Sequence, residues 1–190
     1  YKSQDIVFFD DLNERKDIDI PGDCRLLQDL KGVKLWMKQN NNNYVYGLGG
    51  IDAKEKIRQK FESIGANLCS VIASTSLLGT EKTSYGIGIQ LMHSTLITSR
   101  VKIGNHCLVN AGSKLMHDVT IGDNCNIAPG VIILGRATIG SNCFIGASAT
   151  IMPDVVLGNN VTIGAGALVT NNLPSNVVAV GVSSKIIKHK

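Results

Sequence analysis

Aromatic residues and long apolar segments are scarce in this sequence. Only 5% of its 190 residues are aromatic although 44% are hydrophobic, so a folded core has to be built from aliphatic side chains. No stretch is apolar for long enough to span a bilayer, and no secretory signal is visible. We therefore expect a cytoplasmic protein without a membrane span, whose natural start can lie upstream of Tyr1.

Strong charge is lacking as well. The formal net charge is +4, and lysines gather at the end of the chain, at Lys185, Lys188 and Lys190. Because the chain has no basic run interleaved with aromatic residues, we expect no nucleic-acid binding. The dinucleotide-binding pattern GxGxxG is also missing.

What the sequence does contain is an unbroken six-residue repeat from Leu96 to Leu173. Neither the 3.6-residue period of a helix nor the two-residue alternation of a half-buried strand produces such a pattern. It comprises thirteen units, and the second place of each is aliphatic: Ile97, Ile103, Val109, Leu115, Ile121, Ile127, Ile133, Ile139, Ile145, Ile151, Leu157, Ile163 and Val169.

A repeat of six predicts short strands joined by tight corners, with three strands in each coil of eighteen residues. We expect the second-place side chain to point into a three-sided prism and the small sixth place to let the chain turn each corner. Successive coils would stack by parallel strand pairing at about 4.8 Å. The repeat is long enough for slightly more than four coils.

Cysteines and histidines do not suggest a metal site. Cys107, Cys125 and Cys143 are eighteen residues apart, so they stack at one inward place, where we expect small core side chains rather than disulfides. His93, His106 and His117 fall on three different faces of the predicted prism, which disfavours the three converging histidines of a zinc enzyme. We predict no bound metal.

The region before the repeat predicts a small α/β domain over residues 1–73, followed by the repeat domain over 74–190. Strands are expected at 6–9, 44–48 and 69–72, with a short helix at 25–30. A second helix is expected to begin at Asp52 in a capping box with Glu55. In parallel sheets, ligands bind at the carboxyl ends of strands, where the sequence has Asp10, Asp11, Gly49 and Gly50.

Three departures from the repeat coincide on one face. His117 and Asp118 share a predicted corner, and Gly135 lies eighteen residues later, one coil along. A neutral histidine can act as a general base near pH 7, and a carboxylate can fix its tautomer. A glycine beside them leaves room for a thioester and offers an N–H to an oxyanion. The alternative is a solvent-facing histidine at a corner.

The chain resembles the bacterial sugar acetyltransferases of the bacillosamine and perosamine pathways and the related sialic-acid O-acetyltransferases. The resemblance covers nearly the whole chain and is carried by FFDD, GLGGIDAKEKIRQK, NAGSKLMHDVTIG and VGVSSK, at 8–11, 47–60, 110–122 and 180–185. It implies a partial Rossmann-like α/β domain followed by a left-handed parallel β-helix in a bacterial cytoplasmic homotrimer with active sites between subunits.

The resemblance also implies roles for particular residues. His117 would be the general base in direct transfer from acetyl-CoA, Asp118 its partner, and Gly135 the N–H donor to the tetrahedral intermediate. The acceptor, a nucleotide-linked amino sugar, would be bound by Asp10, Asp11, Gly49, Gly50 and Asn110. The acetyl-CoA groove would be lined by Asn126, Gly135, Ala147 and Ala165.

Other functions stay open at this point. One is O-acetylation of a sialic-acid-like sugar, and another is a non-catalytic trimeric β-helix scaffold. Relatives begin with a strand and a glycine-rich loop that holds the nucleotide phosphates, whereas this sequence starts after that loop. We expect either that the segment precedes Tyr1 in the native chain or that nucleotide binding has been lost.

Overall fold

The repeat folds as predicted into a three-sided parallel β-helix. The computed structural model describes residues 6–11, 20 and 23–190. Strands that are one coil apart pair in parallel, with Ile103 opposite Ile121, Val109 opposite Ile127 and Leu115 opposite Ile133. The eighteen-residue spacing of the sequence is therefore the register of the three sheets.

Each side of the prism is one sheet, and the first, second and third sheets are those that contain Lys102, Leu108 and Lys114, respectively. The first comprises β7 (Ser84–Tyr85), β10 (Lys102–Ile103), β13 (Thr120–Ile121), β16 (Thr138–Ile139) and β19 (Val156–Leu157). The second comprises β5 (Val71–Ile72), β8 (Gln90–Leu91), β11 (Leu108–Val109), β14 (Asn126–Ile127), β17 (Phe144–Ile145), β20 (Thr162–Ile163), β22 (Val177–Val180) and β23 (Lys185–His189). The third comprises β6 (Leu77–Leu78), β9 (Leu96–Ile97), β12 (Lys114–Leu115), β15 (Ile132–Ile133), β18 (Thr150–Ile151) and β21 (Leu168–Val169).

The corners turn at a different place from the one predicted. Sixth-place residues such as Val101 and Cys125 are fully buried in the core, so they fill the prism beside the second-place residues. The chain turns each corner at the fifth place of the six-residue unit, where φ is 57° at Arg100, 63° at Asp118 and 64° at Arg136. Left-handed residues at regular intervals therefore make the corners, and most of them are glycine, asparagine or aspartate, which tolerate that conformation.

The first coil is irregular. Strands β5 and β6 pair with strands nineteen residues later, so that Val71 lies opposite Gln90 and Leu77 opposite Leu96, whereas the coils from β7 to β21 keep a spacing of eighteen. The extra residue lies between β6 and β7, where the six-residue phase of the sequence is interrupted. The last pairing is shorter, with Thr162 opposite Val178. The predicted strand at 69–72 pairs as Val71–Ile72 with β8, and so it belongs to the β-helix.

The end of the chain adds two strands to the second sheet. Val177–Val180 continues the sheet next to β20, and Lys185–His189 pairs antiparallel with β22. All five residues of that last strand are exposed, so its basic side chains stay in solvent.

The chain divides into two compact units that do not follow the predicted boundary at 73/74. One contains 1–44 and 55–67, and the other contains 45–54 and 68–190. Within the second unit, the buried Lys54 donates from Nζ to the carbonyl of His106 at 2.6 Å. Whether 1–73 is an independent domain stays a prediction.

The first unit is an α/β arrangement of short elements. Strands β1 (Val7–Phe9) and β2 (Arg25–Leu27) pair in parallel, and helix α1 (Leu30–Gln39) follows them. Strand β3 (Asn43–Tyr44) pairs with β4 (Asn67–Leu68), and α2 (Ile51–Glu62) lies between them in sequence. Residues 51–54 of α2 and Leu68 of β4 belong to the second unit. The aromatic rings of Phe9 and Tyr44 pack on Phe61, with centroid distances of 5.1 and 4.7 Å.

Several local predictions in this region were wrong. The expected helix at 25–30 is strand β2, and α1 begins only at Leu30 because the side chain of Asp29 caps it by accepting from Gly32 N–H at 2.7 Å. The expected strand at 44–48 ends at Tyr44. Helix α2 starts before Asp52, and Glu55 pairs with Arg58 at 2.7 Å instead of closing a capping box.

Candidate active site

The predicted catalytic residues lie at two stacked corners that follow the third sheet. His117 and Asp118 come directly after β12, and Gly135 holds the equivalent place after β15. Because β12 and β15 pair in register, the two corners lie one above the other. The structure thus brings together the imidazole, the carboxylate and the glycine that the sequence singled out.

The imidazole of His117 occupies the space beside Gly135. A Cβ atom placed on residue 135 would lie 2.5 Å from His117 Cε1 and 2.6 Å from Nε2. Gly135 does not have a positive φ, so its backbone conformation does not require glycine. Glycine is needed here because any side chain would displace the ring.

The other ring nitrogen is held by the adjacent carboxylate. His117 Nδ1 lies 2.8 Å from Asp118 Oδ2, and the two side chains are 45% and 34% exposed. When Nδ1 carries the proton and donates it to Asp118, Nε2 carries the lone pair. The nitrogen beside Gly135 is then the one that can accept a proton from a substrate.

Arg100 also belongs to this cluster, in addition to His117, Asp118 and Gly135, and the sequence reasoning missed it. Its Nε donates to Asp118 Oδ1 at 2.6 Å and its Nη2 to Oδ2 at 3.0 Å. The guanidinium, and secondarily His117, holds the pKa of Asp118 well below its usual range. Arg100 and Asp118 are eighteen residues apart with opposite charge, a signal that the sequence did contain.

Two coils farther along, the ion pair recurs without the histidine. Arg136 donates to Asp154 from Nε at 2.6 Å and from Nη2 at 2.7 Å, and the arginine lowers the pKa of that carboxyl. The residue before Asp154 is Pro153, which has no acid–base group. An arginine–aspartate pair alone therefore does not define the candidate site.

A cavity of about 400 Å³ lies on the second sheet. The segment 46–49 borders it and is tied to that sheet by hydrogen bonds from Gln90 Nε2 to the Tyr46 carbonyl and from Asn126 Nδ2 to the Gly49 carbonyl. Three amide side chains and several apolar ones line the cavity, and none of the lining residues is charged: Tyr46, Gly47, Leu48, Gly49, Gln90, Met92, Leu108, Asn110, Asn126, Ala128 and Phe144.

The predicted substrate-binding residues are distributed over both units. Gly49 and Asn110 line the cavity of the β-helix unit, and Gly50 is the exposed residue that precedes α2. Asp10 and Asp11 belong to the other unit, where Asp11 forms an ion pair with Lys60. Sugar binding by these residues stays a prediction.

The predicted acetyl-CoA residues do not share one corner within a chain. Asn126 lines the cavity on the second sheet, while Ala147 and Ala165 are at the corners that follow β17 and β20 of that sheet. Gly135 is at a corner after the third sheet, beside His117. Their common role as a cofactor groove stays a prediction.

The described part of the chain contains neither a metal-binding cluster nor a membrane-spanning helix. Within 6–11, 20 and 23–190, no group of three or more histidine, cysteine, aspartate or glutamate side chains is arranged to hold a metal ion. No helix in the same part of the chain has the length and apolar character needed to cross a membrane.

Comparison with known proteins matches the repeat to a transferase family model. Residues 100–135 and 136–171 each match the family model described as bacterial transferase hexapeptide (six repeats). The structure superposes on WeeI from Acinetobacter baumannii AYE with a TM-score of 0.86 and 25% identity, over 98% of this chain and 88% of that one. The enzyme is an acyltransferase whose repeat matches that of the hexapeptide transferases over residues 100–171.

Two other solved structures extend the likeness. PerB from Caulobacter crescentus, in complex with CoA and GDP-perosamine, has a TM-score of 0.79 and 25% identity, over 87% of this chain and 78% of that one. The acetyltransferase domain of PglB from Neisseria gonorrhoeae FA1090, in complex with acetyl coenzyme A, has a TM-score of 0.80 and 20% identity, over 93% of this chain and 84% of that one. No curated protein matches the sequence.

These likenesses confirm two sequence-based inferences. The resemblance to hexapeptide sugar acetyltransferases holds at the level of the fold and the repeat. The acyltransferase also has the predicted architecture, a short α/β region followed by a left-handed parallel β-helix.

Proposed function

We propose that this acyltransferase moves an acetyl group from acetyl-CoA to the amine of a nucleotide-linked amino sugar, with His117 as the general base. The observation that carries the proposal is the position of the His117 ring. Its Nε2 lies over the bare backbone of Gly135, and its Nδ1 is bound to Asp118. This is the arrangement that proton abstraction beside a bulky acyl donor requires.

The relatives support an amine acceptor. PerB, at 25% identity, is bound to CoA together with GDP-perosamine, a nucleotide-linked sugar whose acceptor group is an amine. The PglB domain is bound to acetyl coenzyme A. These ligands favour N-acetylation over the O-acetylation of a sialic-acid-like sugar.

The residues of the chain divide the work of the reaction. Bound acetyl-CoA supplies the acetyl group as a thioester. His117 Nε2 takes the proton from the acceptor amine while the new N–C bond forms and the C–S bond breaks, and the proton then leaves with the CoA sulfur. Asp118 stabilises the transient imidazolium. The N–H of Gly135 has no hydrogen-bond acceptor among the described residues, so it is free to donate to the carbonyl oxygen as charge develops.

We further propose that the active unit is a homotrimer that works in the cytoplasm, where CoA thioesters are available. His117 lies at a corner after the third sheet, whereas the cavity lies on the second sheet of the same prism. A neighbouring copy would complete the site by placing its Asn126, Ala147 and Ala165 along the acetyl-CoA groove near His117. Gly49, Gly50 and Asn110, with Asp10 and Asp11, would bind the nucleotide-sugar.

An acceptor panel tests the proposed function. The purified protein is mixed with acetyl-CoA and either GDP- or UDP-linked amino sugars or hydroxyl acceptors of the sialic-acid type, and CoA release is followed with a thiol reagent. We expect turnover with the amines. Turnover only with the hydroxyl acceptors would replace the proposal by O-acetylation. No turnover together with no CoA binding in calorimetry would favour the non-catalytic scaffold.

A further inference from the structure

Arg100 makes a two-pronged contact with the carboxylate that holds the histidine. Both oxygens of Asp118 accept from its guanidinium, and Oδ2 is shared between Arg100 Nη2 at 3.0 Å and His117 Nδ1 at 2.8 Å. The free edge of the guanidinium reaches Glu81, with Nη1 at 3.2 Å from Oε1. The backbone supports the pair, since Asp118 N–H donates to the carbonyl of Ser99, next to Arg100, at 3.1 Å.

We propose that Arg100 is a positioning residue for acetyl transfer: it fixes the orientation of Asp118 and offsets its charge, so that His117 is held in the right tautomer and stays neutral. The inference rests on the proposed role of His117 as the base. Arg100 itself does not need to touch either substrate.

The guanidinium of Arg100 can fix the orientation of the Asp118 carboxylate. A carboxylate on a corner residue can rotate about χ2, and each rotation would change the oxygen presented to His117. A guanidinium fork permits one planar arrangement, because its two N–H groups match the two oxygens. Asp118 is about one-third exposed, so without the fork water would compete for the oxygen that accepts from Nδ1.

Arg100 also offsets negative charge beside the imidazole. An unpaired carboxylate next to the ring would favour imidazolium, which cannot act as a base, whereas a nearby cation disfavours it. Arg100 and Arg136 are the cations of the two ion-paired corners, and Asp118, Glu81 and Asp154 are the anions. Removing Arg100 leaves Asp118 without its guanidinium and three anions facing a single cation, which favours the imidazolium form.

Arg136 provides a matched control. It makes the same fork with Asp154, two coils along the same edge of the prism. Its backbone N–H donates to the carbonyl of His117 at 2.9 Å, so it is close to the site, but its partner carboxylate does not bind the imidazole. A general effect of removing surface charge would appear in both variants, whereas a positioning role predicts a much larger effect at Arg100.

The test compares Arg100→Gln and Arg136→Gln by two readouts. One is the pH dependence of kcat/KM with the same amine acceptor, in which ionisation of the acceptor cancels between variants. The other is the NMR titration of the His117 ring in protein labelled at its four histidines, with the His117 signal assigned from its loss in His117→Ala.

For Arg100→Gln we expect both midpoints to rise by about 0.5 to 1 pH unit, since the pair is partly exposed and screened. At high pH, kcat/KM should recover to within about tenfold of the unmodified value. Arg136→Gln should move either midpoint by less than half as much. Unchanged midpoints in Arg100→Gln, or equal shifts in both variants, would overturn the inference.

A second substitution guards against a folding defect. Arg100→Lys keeps the charge but loses the fork, so it should leave the midpoints near their unmodified values while lowering the plateau of kcat/KM. If Arg100→Lys behaves like the unmodified protein in both respects, the fork has no positioning role. The proposed function fails separately, because it requires His117→Ala to be inactive whatever the titration shows.

Discussion

The two arginine–aspartate pairs after the third sheet lie two coils apart and differ in what accompanies the ion pair. Arg100–Asp118 is joined by His117, whose ring lies over Gly135. Arg136–Asp154 has Pro153 at the place of the histidine. The ion pair is therefore a recurring way of bridging adjacent corners, and of the two pairs the first has an imidazole beside it.

The two corners have the same ion pair, so they allow the structural role of the pair to be distinguished from the catalytic role proposed for His117. Changes at the corner of His117 should lower activity and leave stability largely unaffected. Changes at the corner of Arg136 should do little to either. Four substitutions test that contrast, starting with the one expected to have the largest effect.

Replacing the base should have the greatest effect. His117→Ala is expected to lower kcat by about 10³-fold, the range for losing a positioned general base, because no other group in the cluster can accept the amine proton. The measurement is CoA release at saturating acetyl-CoA and acceptor. The thermal midpoint should match that of the unmodified protein, and undiminished turnover would remove His117 from the mechanism.

Filling the space beside the ring should be the next most damaging change. Gly135→Ala places a Cβ 2.5 Å from His117 Cε1, so the ring must move by about 1 Å, which typically costs about 10²-fold in rate. The control is Gly32→Ala, where a Cβ meets ordinary contacts of 3.5 Å or more. If Gly135→Ala keeps full activity, the close approach of ring and glycine has no catalytic consequence.

Changing the carboxylate to an amide should have a smaller effect. In Asp118→Asn, the Arg100 guanidinium donates to the amide oxygen, so the amide NH₂ faces His117 Nδ1. Because NH₂ is a donor, it favours the tautomer in which Nδ1 accepts and Nε2 carries the proton. We expect a loss of about 30-fold, below that of buried triads because this corner is open to water. Asp154→Asn serves as the matched control, and equal losses in the two variants would argue against a specific role for Asp118.

The pKa of Asp118 adds a pH prediction. Arg100 and then His117 hold that pKa well below its usual range, so the carboxylate stays ionised as the pH falls through the range in which histidine becomes protonated. The acid limb of kcat should therefore follow one protonation, with unit slope. A slope near two would mean that Asp118 is neutralised together with the ring.

The corner without the histidine should be the least sensitive. Arg136→Ala removes an exposed ion pair, which normally contributes little to stability, and we expect kcat to change by less than about twofold. Thermal unfolding and CoA release measure both effects. A loss comparable to that of His117→Ala would mean that the second corner also belongs to the site.

The β-helix was predictable because its sequence period is its geometry. Eighteen residues separate both the strands that pair and the residues that meet, so His117 and Gly135 could be matched from spacing alone. The same rule would have found Arg100 opposite Asp118, had charges been compared as well as departures from the repeat. The prediction that the chain turns at the sixth place was wrong. A small residue at that place is equally compatible with filling the core, and that is what it does.

The first unit was less predictable because its elements are short and depend on individual caps. Asp29 caps α1, which begins at Leu30, where the predicted helix was expected to end. Helix α2 begins at Ile51, before the predicted start at Asp52. The cavity joins the segment 46–49 to four coils of the second sheet, and because these residues are far apart in sequence, no local pattern predicts it.

A crystal structure of the protein with CoA is the most direct test of the account. We predict that the CoA sulfur lies within about 4 Å of His117 Nε2, the separation expected for reacting groups, in a groove completed by a second copy of the chain. CoA bound with its sulfur remote from His117 of every copy would contradict the proposed active site.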